Sequence, residues 1–235
     1  MSLQVAKDAE ALAVLAADLI AARIKDCRAP FRLALSGGAT PRETYRLLGA
    51  RKDLSWDCVE IFFSDERFVP PDHPDSNYGM VRNTLLKNGL AGGIAPRGLF
   101  AIPTDGTVES CAARYNEILR QQYGASRLSP DAPLFDLCLL GLGEDGHTAS
   151  LLPGQPVLNE RMRWAAAVPD GRGEPRITLT YPALESSRTI LFLVAGAPKA
   201  AMLARARAGD ASIPAGALKP QGEVIWLADE AAIAP

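Results

Sequence analysis

The sequence has little that could bind a metal ion, a nucleic acid or a membrane. Its 235 residues include only two histidines, and its four cysteines lack the short spacing of common zinc sites. The formal net charge is −2, and no lysine- and arginine-rich block points to a nucleic-acid partner. No segment reaches the roughly 18 apolar residues that cross a membrane. We therefore expect no metal, no nucleic-acid partner and no membrane partner.

The cysteines and the N-terminal segment indicate a cytoplasmic protein. Cys27, Cys58, Cys111 and Cys138 share no paired spacing, and we expect four reduced, mostly buried thiols. The apolar run 11–22 contains Asp18 and places its large side chains at helical spacing. This pattern is typical of a surface helix packed on a core and not of a secretory signal.

Short apolar segments alternate with segments of helical periodicity along the chain. Strands are predicted at 31–35, 59–63, 135–140, 164–168, 176–180, 189–194 and 223–227. Helices are predicted at 8–25, from Pro41 onward, and at 77–88, 108–123 and 197–208. The alternation favours an α/β fold with a mostly parallel sheet and helices on both faces. No linker or repeat divides the chain, so residues 1–235 are expected to form a single domain.

Three polar motifs directly follow predicted strands, at 36–41, 64–79 and 143–150. Open parallel sheets bind ligands outside the carboxyl ends of their strands. The three motifs are therefore expected to meet at one edge of the sheet.

The first motif, Ser-Gly-Gly-Ala-Thr-Pro at 36–41, combines a glycine turn with a helix start. Glycines at 37 and 38 let the backbone approach a ligand, and Thr40 is a candidate N-cap, with Glu43 completing a capping box. The N-terminal end of a helix suits a phosphate. The motif is neither a Walker A nor a dinucleotide fingerprint, so we expect no nucleotide. A capped strand-to-helix turn without a ligand is the alternative.

The second motif places Asp65, Glu66 and Arg67 after a strand. An arginine there could bind an anionic group or stabilise an oxyanion, and Asp65 could hold a hydroxyl or orient a histidine. A surface loop of ion pairs is the alternative reading. His73, in the polar loop that follows, is the weaker of the two histidines and is expected to be solvated or structural.

The third motif places His147 in a glycine-rich turn after the buried strand 135–140. Histidine suits acid–base chemistry near neutral pH, and Asp145 is close enough in sequence to influence its charge. A structural histidine is the alternative. Arg176 and Lys199, each beside a strand, read alone as surface charges but could complete a phosphate site. No G-x-S-x-G motif occurs, so water activated by a base is the more natural route to ester cleavage.

Together these motifs resemble a known family. In order and spacing, SGGATP (36–41), SDERFVPPDHPDSNYGM (64–80), GLGEDGHTASLLPG (141–154), PRITLT (175–180) and G-x-x-K (196–199) are similar to those of the 6-phosphogluconolactonases. The resemblance extends from about residue 5 to about residue 230. Ala39, Leu142 and Leu152 stand where the family commonly has Ser, Met and Phe, which changes packing but no polar role.

The resemblance implies a Rossmann-like fold similar to the ribose-5-phosphate isomerase and CoA-transferase group. It also implies hydrolysis of 6-phospho-D-glucono-1,5-lactone in the pentose phosphate pathway, without a cofactor. His147 would be the general base, Arg67 would steady the oxyanion or the hydroxyls of the substrate, and Asp65 would position the histidine, the water or the sugar. The sugar phosphate would lie in a cradle formed by Ser36, Gly37, Gly38, Thr40, Arg176 and Lys199.

Two other functions stay open from the sequence. Glucosamine-6-phosphate deaminases share the SGG loop and the DGH motif. Their second motif typically reads Asp-Glu-Tyr, where this chain has Arg67, and their third continues DGHIAFNEP, where this chain has DGHTASL. Both differences favour the lactonase. The other function is a non-catalytic sugar-phosphate sensor, which would have no need of a base such as His147. The sequence does not indicate the oligomeric state.

Overall fold

The computed structural model describes residues 1–27, 30–87 and 96–234. In these residues the strands are β1 (Ser2–Ala6), β2 (Phe31–Leu35), β3 (Val59–Phe63), β4 (Asp65–Arg67), β5 (Gly98–Leu99), β6 (Phe135–Gly141), β7 (Ala165–Val168), β8 (Arg176–Leu179), β9 (Ser187–Val194) and β10 (Glu223–Asp229). The helices are α1 (Ala9–Lys25), α2 (Ala39–Gly49), α3 (Asn77–Val81), α4 (Val108–Tyr123), α5 (Tyr181–Glu185), α6 (Ala200–Arg207), α7 (Pro214–Ala217) and α8 (Glu230–Ile233).

The main sheet has seven strands in the order β1-β10-β9-β6-β2-β3-β5, and all neighbours are parallel. Every residue of β3 is buried, as is the stretch Leu137–Leu140 of β6. Strands buried at consecutive positions must be covered on both faces, which explains the apolar run of β6. β3 is apolar except for Glu60, which is paired with Arg32 and Arg97. The predicted α/β class with a mostly parallel sheet is confirmed.

The strand order reverses between β2 and β6. From β2 the chain moves outward through β3 and β5, and it then returns to the other side of β2 at β6 before continuing to β9 and β10. Loops that leave neighbouring strands in opposite directions open a crevice at such a switch point, where α/β sheets bind ligands. The first and third polar motifs follow these two strands directly.

A second sheet, which the sequence analysis did not predict, is antiparallel and has the order β4-β8-β7. The alternative of a surface loop of ion pairs is wrong for Asp65–Arg67, because these residues pair with β8. The backbone N–H of Leu179 also donates to Ser64 at 2.7 Å, so the pairing begins where β3 ends. A strand of three residues is too short to show a period of its own, and its partner lies more than 100 residues away.

Two helix boundaries differ from the prediction. α2 begins at Ala39 and not at Pro41, because Gly38 turns the chain with a φ of +113°. Thr40 therefore lies inside the first turn and caps nothing, and Glu43 pairs with Arg46 instead of completing a capping box. The helix predicted at 77–88 is α-helical only to Val81 and continues as a π-helix over Arg82–Leu86. Its last residue lies outside the described ranges.

The cysteines divide into two kinds. Cys111 and Cys138 are buried free thiols, as predicted. The prediction is wrong for Cys27 and Cys58, whose sulfur atoms are bonded to each other. Phe31 donates its backbone N–H to the carbonyl of Cys58 at 2.8 Å, which holds the start of β2 next to the residue before β3. A sequence separation of 31 residues conceals this proximity.

Among the helices of the described residues, none combines the length and the apolar composition that crossing a membrane requires.

Candidate active site

A cavity of about 390 Å³ opens at the carboxyl ends of β2, β6 and β9. This is the edge of the sheet at which the three polar motifs were expected to meet. Every candidate residue from the sequence lines it: Ser36, Gly37, Gly38, Thr40, Asp65, Arg67, His147, Arg176 and Lys199. Asn77, which was not predicted as a site residue, also lines the cavity. A volume of this size accommodates a small ligand such as a sugar phosphate.

The loop after β6 holds His147 against the backbone of the same loop. Gly143 donates its N–H to the carbonyl of His147 at 2.8 Å, and Gly146 donates to Gly143 at 3.0 Å. A Cβ added at Gly143 would lie only 1.9 Å from Nδ1 of His147. The imidazole therefore occupies the space that a side chain at position 143 would need, which explains the glycine.

His147 is paired with Asp145, and not with Asp65. Oδ1 of Asp145 lies 2.5 Å from Nδ1 of the imidazole, and Oδ2 of Asp145 accepts from Arg172. Burial lowers the pKa of His147 below its ordinary value, although Asp145 opposes this shift. Burial raises the pKa of Asp145, but the bonds to His147 and Arg172 outweigh it and bring this pKa to about 2. The pair is thus a neutral imidazole beside a carboxylate at neutral pH.

Asp65 is buried and is fixed by the side chains of Ser150 and Asn77. Ser150 donates from Oγ to Oδ2 of Asp65 at 2.7 Å. Asn77 donates from Nδ2 to the backbone carbonyl of Asp65 at 2.9 Å. Only 6% of Asp65 is exposed. Because Asp65 is held in one orientation, the lone pairs of its carboxylate that are not used by these bonds can accept a hydrogen bond from a ligand in the cavity.

Glu66, the neighbour of Asp65, has a structural role. Its carboxylate accepts from the backbone N–H groups of Asn77 at 2.7 Å and Tyr78 at 2.8 Å, and from Oγ of Ser76 at 3.1 Å. Burial raises the pKa of Glu66, and the bonds to these N–H groups oppose the shift. The carboxylate thereby ties the start of α3 to β4 and places Asn77 beside Asp65.

Two arginines face each other across the small sheet. Arg67 of β4 and Arg176 of β8 are directly opposite in the antiparallel register. Arg67 donates to the carbonyl of Asp75 at 2.8 Å, and Arg176 donates to Glu174 at 2.8 Å. In the part of the chain that the structure describes, neither buried Nε has a hydrogen-bond partner. Opposed like charges with unsatisfied donors are unfavourable, and an anion in the cavity would relieve both.

A buried tyrosine, Tyr45, fixes the Ser-Gly-Gly loop. The hydroxyl of Tyr45 accepts from the N–H of Ser36 at 3.0 Å and donates to its carbonyl at 2.8 Å. The loop then enters α2, and its residues from Ser36 to Pro41 line the cavity. Lys199 reaches the same cavity from the turn before α6, with its Nζ 3.7 Å from Glu144.

His73 lies outside the cavity. Its side chain is exposed, its Nδ1 accepts from the backbone N–H of Asp75 at 3.2 Å, and it stays in the loop before α3. The solvated or structural role predicted for it agrees with this position. Over residues 1–27, 30–87 and 96–234, no group of three or more histidine, cysteine, aspartate or glutamate side chains is arranged to hold a metal ion.

Comparison with known proteins agrees with the motifs. The family model for glucosamine-6-phosphate isomerases/6-phosphogluconolactonase matches residues 7–226. A 6-phosphogluconolactonase of Nostoc sp. is 38% identical, and the match covers 98% of this chain and 96% of that protein. The solved 6-phosphogluconolactonase from Trypanosoma cruzi superposes with a TM-score of 0.83 at 25% identity, covering 98% of this chain and 95% of that one.

A monomeric glucosamine-6-phosphate deaminase shares the fold, with a TM-score of 0.79 at 22% identity over 99% of this chain and 98% of that one. The fold alone is therefore common to both activities, whereas the curated relatives at higher identity carry the lactonase name. The chain belongs to the glucosamine-6-phosphate isomerase/6-phosphogluconolactonase family.

Proposed function

We propose that this protein hydrolyses 6-phospho-D-glucono-1,5-lactone to 6-phospho-D-gluconate, in the oxidative branch of the pentose phosphate pathway. The observation that carries the proposal is His147, which is paired with Asp145 and lines the same cavity as the opposed arginines Arg67 and Arg176. A neutral imidazole can activate water, and the two guanidinium groups suit an anionic substrate. The names of the relatives at 37–41% identity support the same activity.

In the proposed mechanism, His147 is the general base. Asp145 accepts from Nδ1–H, so Nε2 is the nitrogen that takes a proton from the attacking water. Water adds to the lactone carbonyl and forms a tetrahedral oxyanion. The imidazolium then returns the proton to the ring oxygen as the C–O bond breaks, which opens the ring to the free acid.

Arg67 and Asp65 are proposed to act on the reacting end of the sugar. Arg67 lies at the end of β4 with an unsatisfied Nε and is a donor for the oxyanion or for a substrate hydroxyl. Asp65 accepts from Ser150 and does not contact the imidazole, so its proposed role narrows to holding the water or a sugar hydroxyl. Asp145 takes the histidine-positioning role that the sequence left open for Asp65.

The phosphate is proposed to bind between the first turn of α2 and the cations of the opposite wall. The backbone of Gly37, Gly38 and Thr40 lines the cavity at the positive end of an 11-residue helix, beside Ser36. Arg176 and Lys199 line the same cavity from other elements. Arg176 is the stronger candidate for direct contact, because its side chain is 12% exposed and its Nε is unsatisfied.

The test is acid release from freshly prepared 6-phosphogluconolactone, measured against the spontaneous rate. The wild-type protein should accelerate it, with equal rates in the presence of EDTA. His147→Asn should lower turnover by about 10²–10⁴-fold. The matched control is His73→Asn. It removes the other histidine of the chain, which lies outside the cavity, and should leave turnover unchanged.

Two outcomes would count against the proposal. Unchanged turnover in His147→Asn would reject the base assignment while leaving the lactonase activity in place. No acceleration by folded wild-type protein, together with ammonia release from glucosamine 6-phosphate, would replace the proposed function by the deaminase activity.

A further inference from the structure

Arg172 is not among the residues that line the cavity, but it contacts the proposed catalytic pair, Asp145 and His147. It belongs to the loop between β7 and β8, in a tight turn closed by the N–H of Gly171 bonded to the carbonyl of Glu174 at 2.9 Å. Its guanidinium donates to Oδ2 of Asp145, whose other oxygen faces His147. A half-exposed side chain from a distant loop thus occupies the second oxygen of this carboxylate.

The backbone of Arg172 adopts a conformation that an arginine seldom has. Its φ is +67°, and Gly173 after it has a φ of +86°. A left-handed conformation is unfavourable for a residue with a Cβ and persists only where the surroundings hold it. In this conformation the side chain of Arg172 contacts Asp145, an interaction that a glycine at the same position could not make.

We propose that Arg172 is a positioning residue for the lactonase reaction: its guanidinium fixes Asp145 against His147, which keeps the imidazole in the tautomer with a free Nε2. The role presupposes the proposed function of His147. Nη2 of Arg172 lies 3.2 Å from Nδ1, but it is a donor, as is the Nδ1–H that bonds to Asp145. The guanidinium of Arg172 therefore acts on His147 in two ways, through the carboxylate of Asp145 and through its own positive charge.

The charges around His147 determine the direction in which loss of Arg172 should shift the pKa of this histidine. Asp145 faces the ring from its own loop and Asp65 faces it from β4, and both raise the pKa of His147. Arg172 is a cation that faces the ring, and it lowers this pKa in the same direction as burial. Removal of the guanidinium should therefore raise the pKa of His147, so that more of the base is protonated, and inactive, in mild acid.

The first experiment titrates the imidazole directly by NMR and does not depend on turnover. The chain has two histidines, and the signal lost in His147→Asn identifies the relevant one. In Arg172→Gln the titration of His147 should move to higher pH, and Arg172→Lys should restore most of the wild-type titration. Arg188→Gln is the matched control, because Arg188 is a half-exposed arginine paired with Asp136 away from the cavity. An unchanged titration in Arg172→Gln would overturn the role.

The second experiment compares the pH dependence of kcat/KM. The acid limb for Arg172→Gln should shift to higher pH, with a loss of roughly tenfold at mildly acidic pH and a smaller loss at alkaline pH. A higher KM with an unshifted acid limb would show that Arg172 binds substrate, which also overturns the positioning role. If wild-type protein has no lactonase activity, the proposed function fails, and the NMR titration still decides whether Arg172 controls the imidazole.

Discussion

Gly143→Ala should disable the site without unfolding the protein. The added Cβ would lie 1.9 Å from Nδ1 of His147 and 2.7 Å from Oδ1 of Asp145, whereas ordinary contact begins at 3.4 Å. The ring must therefore move by about 1.5 Å or rotate away from Asp145. Misplacement of a catalytic group by about 1 Å lowers turnover by roughly 10²-fold. We expect kcat for the phosphorylated lactone to fall by at least that factor.

The assay is stopped-flow acid release, run beside thermal unfolding of the same samples. Gly154→Ala is the matched control, since its added Cβ meets nothing within 4 Å. The alanine must, however, adopt the φ of +78° that Gly154 has. It should lose about 1 kcal/mol of stability and keep its turnover. Wild-type kcat in Gly143→Ala would contradict this prediction, because the position of the imidazole would then not depend on the absence of a side chain at residue 143.

Two further predictions concern the binding side of the cavity. Tyr45→Phe removes a buried hydroxyl that bonds to both the N–H and the carbonyl of Ser36, so it should cost roughly 1–3 kcal/mol in chemical denaturation and raise KM. Tyr115→Phe, which removes the same pair of bonds from Phe63, should cost similar stability, and an equal KM for both variants would argue against a role for the Ser36 loop. Arg176→Gln should raise KM for the phosphorylated lactone about 10- to 100-fold, the loss of one charge-assisted bond. Equal effects on phosphorylated and unphosphorylated gluconolactone would exclude Arg176 from phosphate binding.

The main sheet could be predicted from the sequence because its strands are marked locally. The apolar runs Phe31–Leu35 and Val59–Phe63 coincide with β2 and β3 at both ends. The run at 135–140 differs from β6 by one residue. Strands buried on both faces consist mainly of apolar residues, with one charged residue each in β2 and β3, so length and turn signals suffice to find them. The edge strand β1, at Ser2–Ala6, carries exposed residues and showed no such run.

The sequence predicted which motifs would lie together, but not which of their side chains bond to one another. The strand-end rule brought the three motifs to one edge, which the cavity confirms. The sequence did not reveal that Asp145 bonds to His147 while Asp65 bonds to Ser150. Both aspartates follow strands, and only loop geometry distinguishes them. Arg172 gave no signal either, because a single arginine between two glycines reads as a surface turn.

Both sheets contribute residues to the cavity, which explains how it can contain both a base and a set of cations. His147 follows a strand of the parallel sheet, whereas Arg67 and Arg176 lie on the antiparallel sheet. Ser150 joins them, since its N–H donates to Oγ1 of Thr178 on β8 at 3.1 Å and its hydroxyl donates to Asp65. All three residues of this link are buried. Buried hydrogen bonds therefore tie the third polar motif, which carries the base, to the antiparallel sheet, which carries the two arginines.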